Sequence, residues 1–248
     1  TRATHEMTSL VRLQLAPPTA PARLTLAHES GSSALRLERG NHRAWLHVPS
    51  SARDQDTAEP LPLLVVLHGA GKNRFWDLKE SVDSWAARAE AHGMAVLFPE
   101  ALQHTWDFIH SKRTQRRDFD FLEECLSEVR RRFSIDERRV ALLGISDGGS
   151  VALTLATHNP KLFQAALSVS AGFCSSPPSA TKSGPKLFML HGSHDSMFQL
   201  SRIGLPLRDK MKQLGYDVEH RVGDGHGHVP PGWQEEFLPA WLAMPVGG

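Results

Sequence analysis

The chain has 248 residues, 40% of them hydrophobic and 22% charged, with 28 basic against 27 acidic side chains and a formal net charge of +1. That length and apolar content suit one sizeable core. The near-zero charge gives no electrostatic footprint for nucleic acid or an anionic membrane, and no apolar run approaches the roughly 18 residues of a membrane-spanning helix.

Residues 1–30 carry prolines and small polar residues, which predicts a loose N-terminal segment ahead of one domain over 31–248. Ala34–Glu38 and Arg43–Val48 read as strands joined by a turn across Arg39-Gly40-Asn41-His42. Ser50–Pro60 reads as a polar surface loop. Leu61–Leu67 is a near-continuous apolar run, the pattern of a strand buried on both faces of a parallel sheet. Helices are predicted over Lys79–His92 and Phe119–Phe133, the second with Leu122, Cys125, Leu126, Val129 and Phe133 on one face. A strand at Met94–Phe98 lies between them.

Val140–Leu143 is a further strand, and Gly148–His158 a helix closed by Asn159-Pro160. Strands follow at Ala165–Ser170, Lys186–Leu190 and Asp217–Val222. Leu200–Leu214 reads as a helix interrupted by Gly204 and Pro206, and Trp233–Leu242 as the last helix. This alternation predicts an α/β fold: a mostly parallel central sheet with helices on both faces. Ala171–Pro185 is short and rich in Ser and Pro, so no large cap domain fits there. The two cysteines, Cys125 and Cys174, read as buried reduced thiols, which favours the cytosol without excluding secretion.

The segment that carries chemistry is Gly144-Ile145-Ser146-Asp147-Gly148-Gly149. It reads G-x-S-x-G between a strand and a helix, with Ser146 at the apex. Glycines suit so tight a turn because side chains would collide across it. The expected result is an exposed hydroxyl at the positive end of a helix. Serine is a weak nucleophile until a base takes its proton, and the base in turn needs an acid to orient it. Both should come from loops at the carboxyl ends of later strands, acid before histidine.

Asp195, just past Lys186–Leu190, is the expected acid. Asp217 begins a strand and Asp224 sits beside the histidine loop, so both rank below it. The base lies in Gly225-His226-Gly227-His228-Val229-Pro230-Pro231. His228 is preferred for its distance from the final helix. His226 remains the alternative, because it follows the strand sooner and has glycine neighbours. A metal bound by both histidines is a lesser reading, and no metal or cofactor is expected. Backbone donors for an oxyanion are expected from Asp147 and from Ala70, in the loop His68-Gly69-Ala70-Gly71-Lys72. Trp106 and Phe108 could line a substrate pocket or pack in the core.

Together these motifs resemble the α/β-hydrolase superfamily. Within it the chain is similar to small serine esterases of the carboxylesterase, phospholipase-carboxylesterase and polyhydroxybutyrate-depolymerase-like branch. The resemblance runs from about Arg43 to Leu242. It rests on His68-Gly69-Ala70-Gly71, Thr105-Trp106-Asp107, the serine turn, His191-Gly192-Ser193-His194-Asp195 and Val229-Pro230-Pro231. It implies Ser146 as nucleophile, Asp195 as acid and the Ala70 and Asp147 amides as oxyanion hole. Relatives usually carry one histidine two residues before Val-Pro-Pro; here Gly227 stands there, flanked by His226 and His228. The implied activity is hydrolysis of small carboxylic esters. Thioesterase or lysophospholipase-type acyl hydrolysis is the neighbouring alternative, and a catalytically silent binding protein of the same fold is the non-enzyme one.

Overall fold

The computed structural model describes residues 2–17, 25–28, 34–52, 59–71, 78–110, 115–182 and 184–245. The chain partitions into two compact units, where the sequence predicts a single body over 31–248. One comprises Leu13–Val66 and Gly71–Arg139; the other comprises Thr1–Arg12, Leu67–Ala70 and Val140–Gly248.

The first unit is built on strands β1 (Thr25–His28), β2 (Ala34–Arg39), β3 (His42–His47), β4 (Leu61–Leu67) and β5 (Ala95–Pro99). Their spatial order is β1-β2-β3-β5-β4. The first three and β5 pair antiparallel, whereas β4 runs parallel to β5 with Leu64 opposite Val96. Every residue of β4 is buried, as its unbroken apolar run requires. Gly40 turns β2 into β3 at φ +58°. Helices α2 (Leu78–His92), α3 (Asp107–His110) and α4 (Arg117–Arg132) complete the unit. Helix α4 buries Phe119, Leu122, Cys125, Leu126 and Val129. It ends one residue before the predicted Phe133, which leaves the helix in an extended conformation. Asp118 and Asp120 lie in its first turn and three arginines in its last, which suits the helix dipole.

The second unit holds α1 (Arg2–Val11), β6 (Ile135–Ile145, from Val140 onward), α5 (Asp147–His158), β7 (Ala165–Val169), β8 (Lys186–Gly192), α6 (Leu205–Gln213), β9 (Val218–Gly223) and α7 (Trp233–Leu242). Strands β6 to β9 are adjacent and all parallel, with Leu143 opposite Leu167, Leu167 opposite Phe188 and Phe188 opposite Glu219. Helices cover both faces. The Phe188 ring meets Phe237 of α7 at 5.5 Å, while His191, on the opposite face by strand alternation, lies against Gly204 at the head of α6. The predicted interrupted helix is a π-turn over Leu200–Gly204 followed by α6. Pro206 stands in the first turn of α6, where its missing N–H costs nothing.

The N-terminal segment differs from the loose start expected. Helix α1 forms, Val11 is fully buried, and the Asn159 amide donates to the Val11 carbonyl at 2.8 Å. Residues 18–24 and 29–33, and residues 53–58 of the predicted polar loop, lie outside the described residues. The segment from Ala171 to Pro185 holds no helix among its described residues, in keeping with the absence of a large cap. No helix among the described residues is long and apolar enough to cross a membrane.

Candidate active site

Strand β6 delivers the chain to Ser146, and α5 begins one residue later. Ser146 sits at φ 57°, ψ −118°, a backbone region that costs a non-glycine residue about 1–3 kcal/mol. Its surroundings hold it there. The Ser146 amide donates to Val169 O at 2.8 Å, and Ser150 N donates to Ser146 O at 3.0 Å. Two glycines are obligatory. A Cβ on Gly144 would lie 2.0 Å from Gly148 O, and one on Gly148 would lie 2.1 Å from Leu67 O. The sequence predicts an exposed hydroxyl; instead Ser146 keeps only 8% exposure. Its turn is closely packed, with Gly69 placed so that a Cβ there would stand 3.3 Å from the Ser146 Cβ.

Asp195 follows β8 and is 3% exposed. Its Oδ1 accepts from the amides of Met197 and Phe198, both at 2.9 Å. Its Oδ2 accepts from His228 Nδ1 at 2.8 Å. Burial works against ionising this carboxyl. The Phe198 amide, the His228 imidazole and the Met197 amide outweigh it and hold its pKa below the usual carboxylate value. Because the folded pKa is depressed, the ionised form stabilises the fold at neutral pH. That contribution is present above an unfolded value of about 3.9 and is lost as pH falls through the folded value. Asp195→Asn is therefore expected to lower Tm clearly at pH 7, with the deficit shrinking as pH falls below the ordinary carboxylate range and through the folded value. A deficit that stays constant as pH falls through that range, read by calorimetry, would contradict this linkage.

The two candidate bases separate cleanly. His228 bonds Asp195 through Nδ1, and its Nε2 is buried with no hydrogen-bond partner among the described residues. His226 is exposed and lines a cleft of about 480 Å³ with Leu190, Arg221, Val222 and Pro230. Its main chain is what holds the loop: the His226 carbonyl accepts from His194 N at 2.9 Å. Asp224 accepts from the Ser193 hydroxyl at 3.2 Å, and Asp217 is exposed beside Lys186 at 3.9 Å. Neither contacts His228. Asp195 and His228 are thus brought together, whereas the Ser146 hydroxyl makes no hydrogen bond among the described residues.

Ala70 is exposed just beyond β4, and Asp147 opens α5 at the helix's positive end. The expected pocket aromatics are core residues. Trp106 and Phe108 are 1% and 0% exposed, and Phe108 packs on Phe119 at 5.2 Å. Buried carboxylates bind the backbone of this segment. Asp118 accepts from the Asp107 amide at 2.7 Å and from Leu102 N at 2.9 Å, and Asp107 accepts from Arg117 N at 2.6 Å. A wholly buried tryptophan offers a substrate no surface, so the core-packing alternative describes both rings.

Three residues near the site escape a reading of motifs. Ser150 is fully buried; its hydroxyl donates to Ser146 O at 3.2 Å and accepts from Gly172 N at 2.9 Å. His191 and Phe198 both adjoin Asp195. Only the i+4 spacing of Ser146 and Ser150 is a signal that sequence could have offered.

The serine turn and its parallel sheet define an α/β-hydrolase fold. The chain belongs to the Esterase family, whose model, described as "Putative esterase", matches residues 39–243. Among curated proteins it is similar to "Putative esterase NocK" of Nocardia uniformis subsp. tsuyamanensis, with 29% identity over 164 residues, 64% of this chain and 46% of that protein. It is 26% identical over 149 residues to the bifunctional acetylxylan esterase/xylanase XynS20E of Neocallimastix patriciarum, covering 57% of this chain and 20% of that one. The chain thus spans less than half the length of these curated relatives. Among solved structures, the S-formylglutathione hydrolase of Agrobacterium tumefaciens shares the fold with a TM-score of 0.65 at 16% identity, covering 91% of this chain and 100% of that one.

Proposed function

We propose that the protein hydrolyses carboxylic esters of short to medium acyl chains or small aromatic acids through an acyl-enzyme on Ser146. The observation that carries this reading is the His228 imidazole. Its Nδ1 is committed to an ionised, buried Asp195, which leaves Nε2 as the basic nitrogen, buried and without a partner among the described residues. In this reading Nε2 takes the Ser146 proton as Oγ bonds the ester carbonyl carbon. The contact between them closes with substrate bound, as catalytic hydrogen bonds often do. The oxyanion rests on the amides of Ala70 and Asp147. The alkoxide leaves with the proton from His228. Water, deprotonated by the same imidazole, then attacks the acyl carbon, and Ser146 recovers its proton as the acid departs.

Family membership and the ester-cleaving names of the curated relatives support the reaction class. The small acyl group follows from the short link between β7 and β8, which adds no cap helix among its described residues. A fluorophosphonate probe tests the reading. One covalent adduct is expected, on the peptide carrying Ser146, with ester turnover lost in proportion to labelling. Full turnover by fully labelled protein, or an adduct elsewhere, would overturn it.

A further inference from the structure

The carboxylate of Asp195 faces two imidazoles. Besides His228 Nδ1 at 2.8 Å, its Oδ2 has His191 Nε2 at 3.1 Å. The same His191 nitrogen hydrogen-bonds the carbonyl oxygen of Phe198. Both neighbours only accept, so the proton of a neutral His191 resides on Nε2. His191 is 3% exposed, and Gly204 closes on its other edge: a Cβ at Gly204 would stand 2.7 Å from His191 Nδ1.

Phe198 links the two histidines a second time. Its amide donates to Asp195 Oδ1, its carbonyl accepts from His191, and its ring meets the His228 ring edge-on at 5.4 Å. Gly172 packs closely on that ring: a Cβ there would fall 3.0 Å from two ring carbons. His191, Asp195, His228 and Phe198 therefore form a closed circuit in which each member touches the next. Three of the four are tied through polar atoms, and the aromatic contact fixes the plane of the base.

We propose that His191 is a positioning residue: its Nε2–H holds the Phe198 carbonyl while its ring edge packs 3.1 Å from Asp195 Oδ2, and so it sets the orientation of the His228 imidazole. It touches neither substrate nor reacting atoms. Without it the Phe198 carbonyl loses the His191 donor, and Phe198 is free to tilt away from His228. The proposal rests on the Ser146, Asp195 and His228 reading above.

The test uses His191→Leu, which removes the donor, His191→Gln, whose side-chain amide can present an N–H near the same place, and Gly204→Ala, which presses the imidazole from behind. In His191→Leu, kcat for a p-nitrophenyl ester is expected to fall by up to about 100-fold, the scale of a misplaced catalytic group, with KM within about twofold. Gly204→Ala should show the same split, and His191→Gln should recover most of the loss. The His228 Nδ1 proton, assigned as the downfield proton NMR signal absent from Asp195→Asn, should shift or broaden in His191→Leu and return in His191→Gln. An unmoved resonance, unchanged kcat, or a loss confined to KM in variants that melt as folded proteins would overturn the proposal. Should His191→Leu fail to fold, the Gln and Gly204→Ala variants decide between the same two outcomes. The NMR signal does not depend on turnover. Failure of the esterase reading, seen as absent Ser146 labelling in the wild type, is therefore distinguishable from failure of the positioning role.

Discussion

Ser146→Ala is expected to lower kcat for an activated ester by on the order of a million-fold and to leave the fold unharmed. The first half follows from the reaction: no other hydroxyl stands on the strand-to-helix turn to accept the acyl group. The second half follows from the local bonding. The turn is held by the Ser146 amide and carbonyl, and alanine keeps both. The hydroxyl itself makes no hydrogen bond among the described residues, so its removal breaks nothing. The strained φ of 57° is carried by either side chain. Steady-state kinetics and a melting curve on one preparation check both halves. A variant that kept a substantial share of its turnover would end the acyl-enzyme reading.

His228→Ala should cost on the order of ten-thousand-fold or more in kcat, and His226→Ala no more than about threefold. The contrast is large because the two side chains point to different surroundings. His228→Ala removes both the bond to Asp195 and the buried basic nitrogen on the other edge of the same ring. His226 contributes its main chain, and alanine preserves that. Comparable losses in the two variants would show that the loop acts as a unit and would refute the choice between them.

Why sequence alone left this choice open is visible in Gly192. A Cβ there would lie 1.9 Å from Gly227 O and 2.4 Å from His226 O. The main chain of the histidine loop is pressed against the end of β8, carbonyls inward. That contact turns the His226 side chain outward and brings His228 round to Asp195. Spacing along the chain carries no trace of a contact between residues so far apart. The serine turn was legible for the opposite reason. Its pattern is local: the requirement at Gly144 comes from Gly148, four residues on, and the strand and helix that flank the turn are encoded by their own apolar runs, although Gly148 itself makes room for the distant Leu67 carbonyl.

Other elements were hidden by distant partners. The prolines and small polar residues of the first segment suggest a loose start, yet α1 forms, Val11 is buried and its carbonyl is bound by Asn159, 148 residues on. Strand β6 begins at Ile135, five residues before the apolar run, through a polar stretch that alternation rules dismiss. There Glu137 holds Arg130 of α4 at 2.6 and 2.8 Å. Trp106 could not be assigned to pocket or core because its burial depends on how this segment folds, and the buried Asp107 and Asp118 carboxylates that bind the segment's backbone amides are not predicted by composition. His191 stands in the His191-Gly192-Ser193-His194-Asp195 motif, but its own contacts show only once the turn from Asp195 to Phe198 brings a carboxylate and a carbonyl to one nitrogen.

The two thiols offer a practical opening. Cys125 and Cys174 are both buried; burial pushes the first well above the ordinary thiol range and the second up to about 11, so neither presents thiolate at neutral pH. A single cysteine introduced on an exposed position would therefore be the sole address for a maleimide dye or a solid support. The native sequence already serves as the blank background for tracking loop motion by fluorescence or for tethering the protein in a chosen orientation.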